Sequence, residues 1–83
     1  MNYTFDKSKC SKEKLKDILI CQNKIKSCTK GQREIKCINL LSHYAKNCNL
    51  SNQTNWNYVL YYFMELGFSY SEILTAYMDM NDR

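Results

Sequence analysis

The chain contains no proline, only two glycines and a single histidine. Without proline, no residue forces a break in a helix. Its longest apolar run, residues 58–64, is far shorter than the roughly 20 residues that a membrane-spanning helix needs. A lone histidine, without a glycine-rich phosphate loop or a nucleophile motif, provides no recognisable catalytic site. We therefore expect a cytoplasmic protein without membrane contact, catalytic residues, metal, cofactor or small-molecule substrate.

The five cysteines do not have the spacing of a metal or disulfide motif. Their number is odd, and no two are spaced as C-x-x-C. Cys10, Cys21 and Cys28 are separated by 11 and 7 residues, and Cys37 and Cys48 by 11, which are near-integral numbers of helical turns. We predict free thiols that behave as small hydrophobic side chains in a reducing cytosol. The alternatives are a zinc site that includes the single histidine and a disulfide framework.

Apolar residues recur at the spacing of amphipathic helices, and no segment shows the alternation of a convincing strand. Four helices are predicted, over residues 11–28, 29–47, 55–66 and 70–80, within one compact all-α domain that spans residues 1–83. The connection between the first two helices is short, so we expect them to be antiparallel neighbours. The polar segment 47–55 is the clearest predicted loop.

Three of the predicted helices have one apolar side that we assign to the core. The expected inward residues are Leu15, Ile18, Leu19, Cys21, Ile25 and Cys28 on the first helix, Ile35, Ile38, Leu41, Tyr44, Ala45 and Cys48 on the second, and Ile73, Leu74, Ala76, Tyr77 and Met80 on the last. The third helix is apolar nearly all round, which is typical of a central buried helix or of a contact surface.

Polar residues mark where the helices begin. Thr29 and Gln32 have the spacing of a capping box at the start of the second helix. Thr54 is a suitable N-cap for the third.

The segment between the last two helices has the residues of a tight corner. Gly67 can end a helix in the left-handed conformation without steric cost. Ser69 and Glu72 form a candidate capping box directly after it, and Phe68 and Ile73 have the spacing of a hydrophobic staple. We therefore predict that two helices meet here at a defined angle.

Residues 62–80 resemble the helix-turn-helix of small bacterial and phage regulators. The resemblance consists of Gly67 in the turn, the apolar neighbours Leu66 and Phe68, and the later Ile73 and Ala76. It implies a DNA-binding regulator whose last helix reads the major groove. At position 63 the chain departs from the family, which usually has a small residue there.

Charge is distributed unevenly along the chain. Residues 1–50 contain eleven Lys or Arg against four Asp or Glu, a balance of +7, whereas residues 51–83 contain one against four, a balance of −3. A basic face on the first two helices is suited to a phosphate backbone. The predicted nucleic-acid or partner-binding residues are Lys9, Lys12, Lys16, Lys24, Lys26, Lys30, Arg33 and Lys36.

The third helix is rich in aromatic residues of the types that are enriched at protein interfaces. Tyr58, Tyr61 and Tyr62 are the predicted contacts with a protein partner or with a second copy of the chain. The alternative is that these tyrosines rim a core built on Trp56 and Phe63.

These patterns favour a small, non-enzymatic regulatory protein that binds nucleic acid and makes a dimer or partner contact through its aromatic helix. The residue usage is typical of an AT-rich bacterium, phage or mobile element. The alternative function is that of a protein-interaction module or inhibitor, such as a phage anti-defence protein, that docks on a host protein.

Overall fold

The computed structural model describes residues 5–81, which fold into four α-helices joined by short connections. No strand occurs among these residues, and the radius of gyration of the Cα atoms is 12.6 Å. The predicted compact, all-α, four-helix fold is therefore confirmed. No helix within this part of the chain has the length and apolar character needed to cross a membrane. A 3-10 turn at Lys7–Lys9 precedes α1 at Lys12–Lys26, α2 at Lys30–Asn47, α3 at Gln53–Leu66 and α4 at Tyr70–Asn81.

Polar side chains cap the first two helices. Ser11 Oγ accepts a hydrogen bond of 3.1 Å from the backbone N–H of Lys14 at the start of α1. The predicted capping box of α2 is confirmed, because Thr29 and Gln32 each accept a backbone N–H bond from the other. The short turn between α1 and α2 is thereby held by the α2 cap.

The loop between α2 and α3 is shorter than predicted. The prediction that Thr54 caps α3 is wrong, because α3 begins at Gln53. Asn52 is the cap, and its Oδ1 accepts bonds of 2.9 and 3.2 Å from the N–H groups of Thr54 and Asn55. Asparagine caps a helix at least as well as threonine, which allows the earlier start. Leu50 is buried and anchors the loop to the core.

The turn after α3 has the predicted left-handed glycine, with φ of 114° at Gly67. The Gly67 N–H donates to the Met64 carbonyl at 3.1 Å, and the Phe68 N–H donates to the Phe63 carbonyl at 3.2 Å. These two bonds form a Schellman motif, which is commonly accompanied by a hydrophobic contact across the turn. Phe63 and Phe68 make that contact, with ring centroids 6.0 Å apart. The large residue at position 63 therefore has a structural role in this turn.

The start of α4 is fixed by the predicted capping box. Ser69 Oγ accepts a bond of 3.1 Å from the Glu72 N–H, and the Glu72 carboxylate accepts one of 2.9 Å from the Ser69 N–H. Phe68 and Ile73, the predicted staple residues, are both buried. Hydrogen bonds thus hold the chain on both sides of the glycine.

One hydrophobic core joins the helices. The main interhelical contacts join α2 with α4, α1 with α3, and α3 with α4. The principal packing partner of α1 is α3 and that of α2 is α4, so the expected antiparallel packing of α1 against α2 stays a prediction. The largest fully buried side chains are Ile18, Cys37, Leu41, Val59, Phe63, Leu66 and Ile73.

Three residues that the sequence assigns to the core lie on the surface. Leu19 is 58 % exposed and Ile35 is 62 % exposed, and Ala45 is exposed as well. On α1 the buried side is centred on Ile18 and Ile25, and Leu19 is rotated from Ile18 by about 100°. The side of each helix that enters the core is therefore narrower than the apolar side seen in the sequence.

Candidate functional site

Arg33, which the sequence places on the basic face, is bound within the fold. Its Nε and Nη2 atoms donate to the two carboxylate oxygens of Glu72 at 3.0 and 2.7 Å, and Nη2 also donates to the Gly67 carbonyl at 2.8 Å. This network joins α2 to the turn and to the first part of α4. The charge of Arg33 is thus already paired with a carboxylate, and its part in a phosphate-binding face stays a prediction.

The contact also changes the titration of both groups. The hydrogen bonds from Arg33 lower the pKa of Glu72 below its ordinary value of 4.5. The same hydrogen bonds raise the pKa of Arg33. Both groups are consequently charged at neutral pH, where their attraction favours the ion pair.

The outer side of α1 has mixed charge in its first half. Lys12 and Lys16 are exposed as predicted, but exposed Glu13 and Asp17 follow them directly in the chain. The positive charge of this half is therefore partly compensated. Lys26 is exposed in the last turn of the helix, where a cation also interacts favourably with the helix dipole.

Two other predicted lysines lie close to carboxylates. Lys30 lines a cleft of about 250 Å³ between α2 and α4, together with Glu34 and Asp79. Lys9 is close enough to Asp6 to help lower the pKa of that carboxyl, an effect due chiefly to hydrogen bonds from Ser8. Neither lysine provides an isolated positive site for a phosphate.

Of the lysines predicted to bind nucleic acid or a partner, the fold brings Lys24 and Lys36 to one groove. This lysine groove has a volume of about 620 Å³ and lies where the end of α1 turns into α2. Within residues 5–81 no carboxylate lines it, so the charged residues of its lining are both positive. The groove is lined by Lys24, Ser27, Cys28, Gln32, Ile35, Lys36 and Asn39.

The structure separates the three tyrosines that were predicted to contact a partner. Tyr62 is only 8 % exposed, so the expectation that it lies on a contact surface is wrong. Tyr58 is half-buried, with its ring centroid 5.5 Å from that of Phe5 and 6.1 Å from that of Tyr62. Tyr61 is well exposed, and Met64 lies near it on the same side of α3.

Sequence reasoning missed several contacts that α3 makes with α1 and with the 3-10 turn before it. Lys14 Nζ lies 4.3 Å from the centroid of the Tyr62 ring, at the distance of a cation–π contact. Gln22 Nε2 donates to the Glu65 carbonyl at 2.6 Å, and Lys7 Nζ lies 3.1 Å from the Glu65 carboxylate. Each contact joins residues far apart in the chain, so no local sequence signal predicts it.

The five cysteines are free thiols. Cys37 is fully buried, and burial raises the pKa of its thiol to about 12. A thiol with so high a pKa is a poor nucleophile. Among residues 5–81 no three His, Cys, Asp or Glu side chains come together as a metal site requires.

The last helix does not have the surface charge of a typical DNA-reading helix. Over Tyr70–Asn81 it contains no lysine or arginine. Cations supply much of the affinity for the phosphate backbone, so this surface is poorly suited to enter a groove of DNA.

A scan against protein-family models, a search of curated proteins and a search of solved structures each returned no significant match. The resemblance of residues 62–80 to regulatory helix-turn-helix segments stays a prediction.

Proposed function

We propose that the protein acts by binding nucleic acid, with Lys24 and Lys36 contacting the phosphate backbone in the lysine groove. The observation that carries this proposal is that two lysines from different helices line one groove, which no carboxylate lines in the described part of the chain. Contacts of this kind provide affinity that does not depend on sequence. They require no catalytic residue, metal or cofactor.

The composition of the groove and of the chain supports the proposal. Ser27, Gln32 and Asn39 add uncharged hydrogen-bonding side chains to the groove, and such side chains commonly contact phosphate and sugar. The balance of +7 over residues 1–50, against −3 over residues 51–83, favours approach of a polyanion from the α1–α2 side.

Fluorescence anisotropy with labelled random-sequence DNA, single-stranded and duplex, tests the proposal. We expect binding that weakens steeply between about 50 and about 200 mM salt. The double variant Lys24→Gln/Lys36→Gln should bind more weakly, and its salt slope should fall by about one for each lost phosphate contact.

The matched control is the double variant Lys12→Gln/Lys46→Gln. It makes the same change in net charge, and Lys46 lies in the last turn of α2 as Lys24 lies in the last turn of α1. We expect this control to bind nearly as well as the unchanged protein, because Glu13 partly compensates the charge of Lys12 and neither lysine lines the groove. Equal losses in the two variants would assign binding to net charge and overturn the role of the groove.

A complete lack of binding at low salt would overturn the nucleic-acid function. The second candidate, a protein-interaction module or an inhibitor that docks on a host protein, would then be favoured. It is supported by Tyr61 and Met64, whose large apolar side chains are 47 % and 44 % exposed on one side of α3.

A further inference from the structure

A second cavity lies near the other end of α2. It has a volume of about 410 Å³ and is bounded by the end of α2 and the start of α3. Pockets for small ligands commonly have volumes of roughly 300–1,000 Å³. Tyr44 and Tyr58 line it together with Asn47 and Asn55, whose side chains end in amides. Aromatic rings beside amides are suited to a flat ring that has hydrogen-bonding groups along its edge.

The core holds both tyrosines in place. The ring centroid of Tyr44 lies 5.9 Å from that of Tyr62 and 5.8 Å from that of Phe63. The ring of Tyr58 makes an edge contact with Phe5 at 5.5 Å. A ligand that stacks on these rings does not have to order them first, which favours binding.

The two amides are positioned by hydrogen bonds to the backbone. Asn47 Nδ2 donates to the His43 carbonyl at 3.0 Å, and Asn55 Nδ2 donates to the Asn49 carbonyl at 2.9 Å. An amide held through its nitrogen has its oxygen as an acceptor. Nucleobases present donors that such an oxygen can bind, namely the ring N3–H of thymine and the exocyclic amino groups of the other bases.

One side of α2 connects this pocket to the lysine groove. Lys36, Asn39, His43 and Asn47 follow one another at helical spacings and are all exposed. The 11 residues from Lys36 to Asn47 correspond to about 16 Å along the helix axis. None of these four residues is acidic, so a polyanion meets no carboxylate from this row of side chains.

We infer that the lysine groove and the Tyr44–Tyr58 pocket form one site for single-stranded nucleic acid. The phosphates lie along the groove, and an unpaired base stacks in the pocket. This inference rests on the proposed function, because the lysine groove supplies the phosphate contacts. A paired base inside a duplex cannot enter such a pocket, whereas single strands offer unstacked bases to aromatic side chains.

The deciding measurement compares two single strands of equal length by fluorescence anisotropy: oligothymidylate, and an abasic strand with the same phosphates but no bases. We expect the abasic strand to bind the protein at least about fivefold more weakly, as the loss of one stacked base implies. Equal binding of the two strands would overturn the base pocket and leave the proposed function intact. No binding of either strand would overturn both.

A variant that fills the pocket tests its position. Thr54 is exposed and lines the pocket, so Thr54→Trp should lower oligothymidylate binding to the abasic level while leaving abasic binding unchanged. The control Gln53→Trp adds the same side chain at an exposed neighbouring position that does not line the pocket. If the two variants bind oligothymidylate equally well, the pocket is not the base site.

Discussion

At the scale of single residues, the pair between Arg33 and Glu72 combines two roles that are usually separate. It is an ion pair between α2 and α4, and through the Gly67 carbonyl it also holds the turn between α3 and α4. Exposed ion pairs contribute little to stability. This one has two parallel hydrogen bonds between side chains that are only 28 % and 21 % exposed, so its contribution should be measurable.

We expect Glu72→Gln to lower the free energy of unfolding at neutral pH by about 1–2 kcal/mol, as loss of a charged hydrogen bond does. Because the pKa of Glu72 is lower in the folded protein than its ordinary value of 4.5, its stabilising effect is fully present above that value. The effect is lost as the pH falls through the lowered pKa. The difference between the two proteins should therefore shrink in acid, which urea unfolding across a pH series measures.

The matched control is Glu34→Gln, the same change at an exposed position of α2. It should have little effect on stability at any pH in the series. If Glu34→Gln lowered the free energy of unfolding as much as Glu72→Gln does, the loss would come from the change in net charge and not from the contact with Arg33.

At the scale of secondary-structure elements, the two glycines have opposite roles. Gly67 is in the left-handed region, and a Cβ added there would lie 3.6 Å from Ile25 Cγ2, an ordinary contact. The free-energy cost of a side chain at position 67 therefore comes from the left-handed backbone and not from a steric clash with a neighbour. Gly31 lies in the first turn of α2, and an added Cβ would meet nothing within 4 Å.

We expect Gly67→Ala to destabilise the protein by about 1–2 kcal/mol, because an alanine resists the left-handed conformation. The same substitution at Gly31 should stabilise it by about 0.4–1 kcal/mol, by restricting the unfolded chain. Thermal unfolding followed by circular dichroism measures both. If Gly67→Ala left the midpoint unchanged, the assignment of a left-handed residue to this turn would be wrong.

At the scale of the whole molecule, the buried residues within 5–81 form one cluster rather than two. Ile18 and Ile25 place α1 in the same cluster as the residues of α3 and α4. A single core of this size usually unfolds in one cooperative step.

We therefore expect the far-ultraviolet circular dichroism and the fluorescence of Trp56 to change at the same urea concentration. Circular dichroism reports all the helices, whereas Trp56 reports the packing of α3 on α4, since its ring lies 5.0 Å from that of Tyr77. A loss of helix signal before the fluorescence changes would show that part of the helical structure unfolds separately from the α3–α4 contact.

Local features of the fold followed from the sequence because their causes are local. The left-handed turn depends on one residue, Gly67. Each capping box joins residues three positions apart, Thr29 with Gln32 and Ser69 with Glu72. Such patterns restrict the backbone whatever the rest of the chain does. The four helices and the excess of positive charge in the first half were predictable for the same reason.

The sequence alone determined the helices, their main caps and the chemical types available for binding. Tertiary structure decided which charges remain available: it paired Arg33 with Glu72 and brought Lys24 and Lys36 to one groove. It also buried Tyr62 and left Ile35 on the surface. The physical reason is that helical periodicity gives each side chain a direction around its own axis. What lies in that direction depends on how distant helices pack.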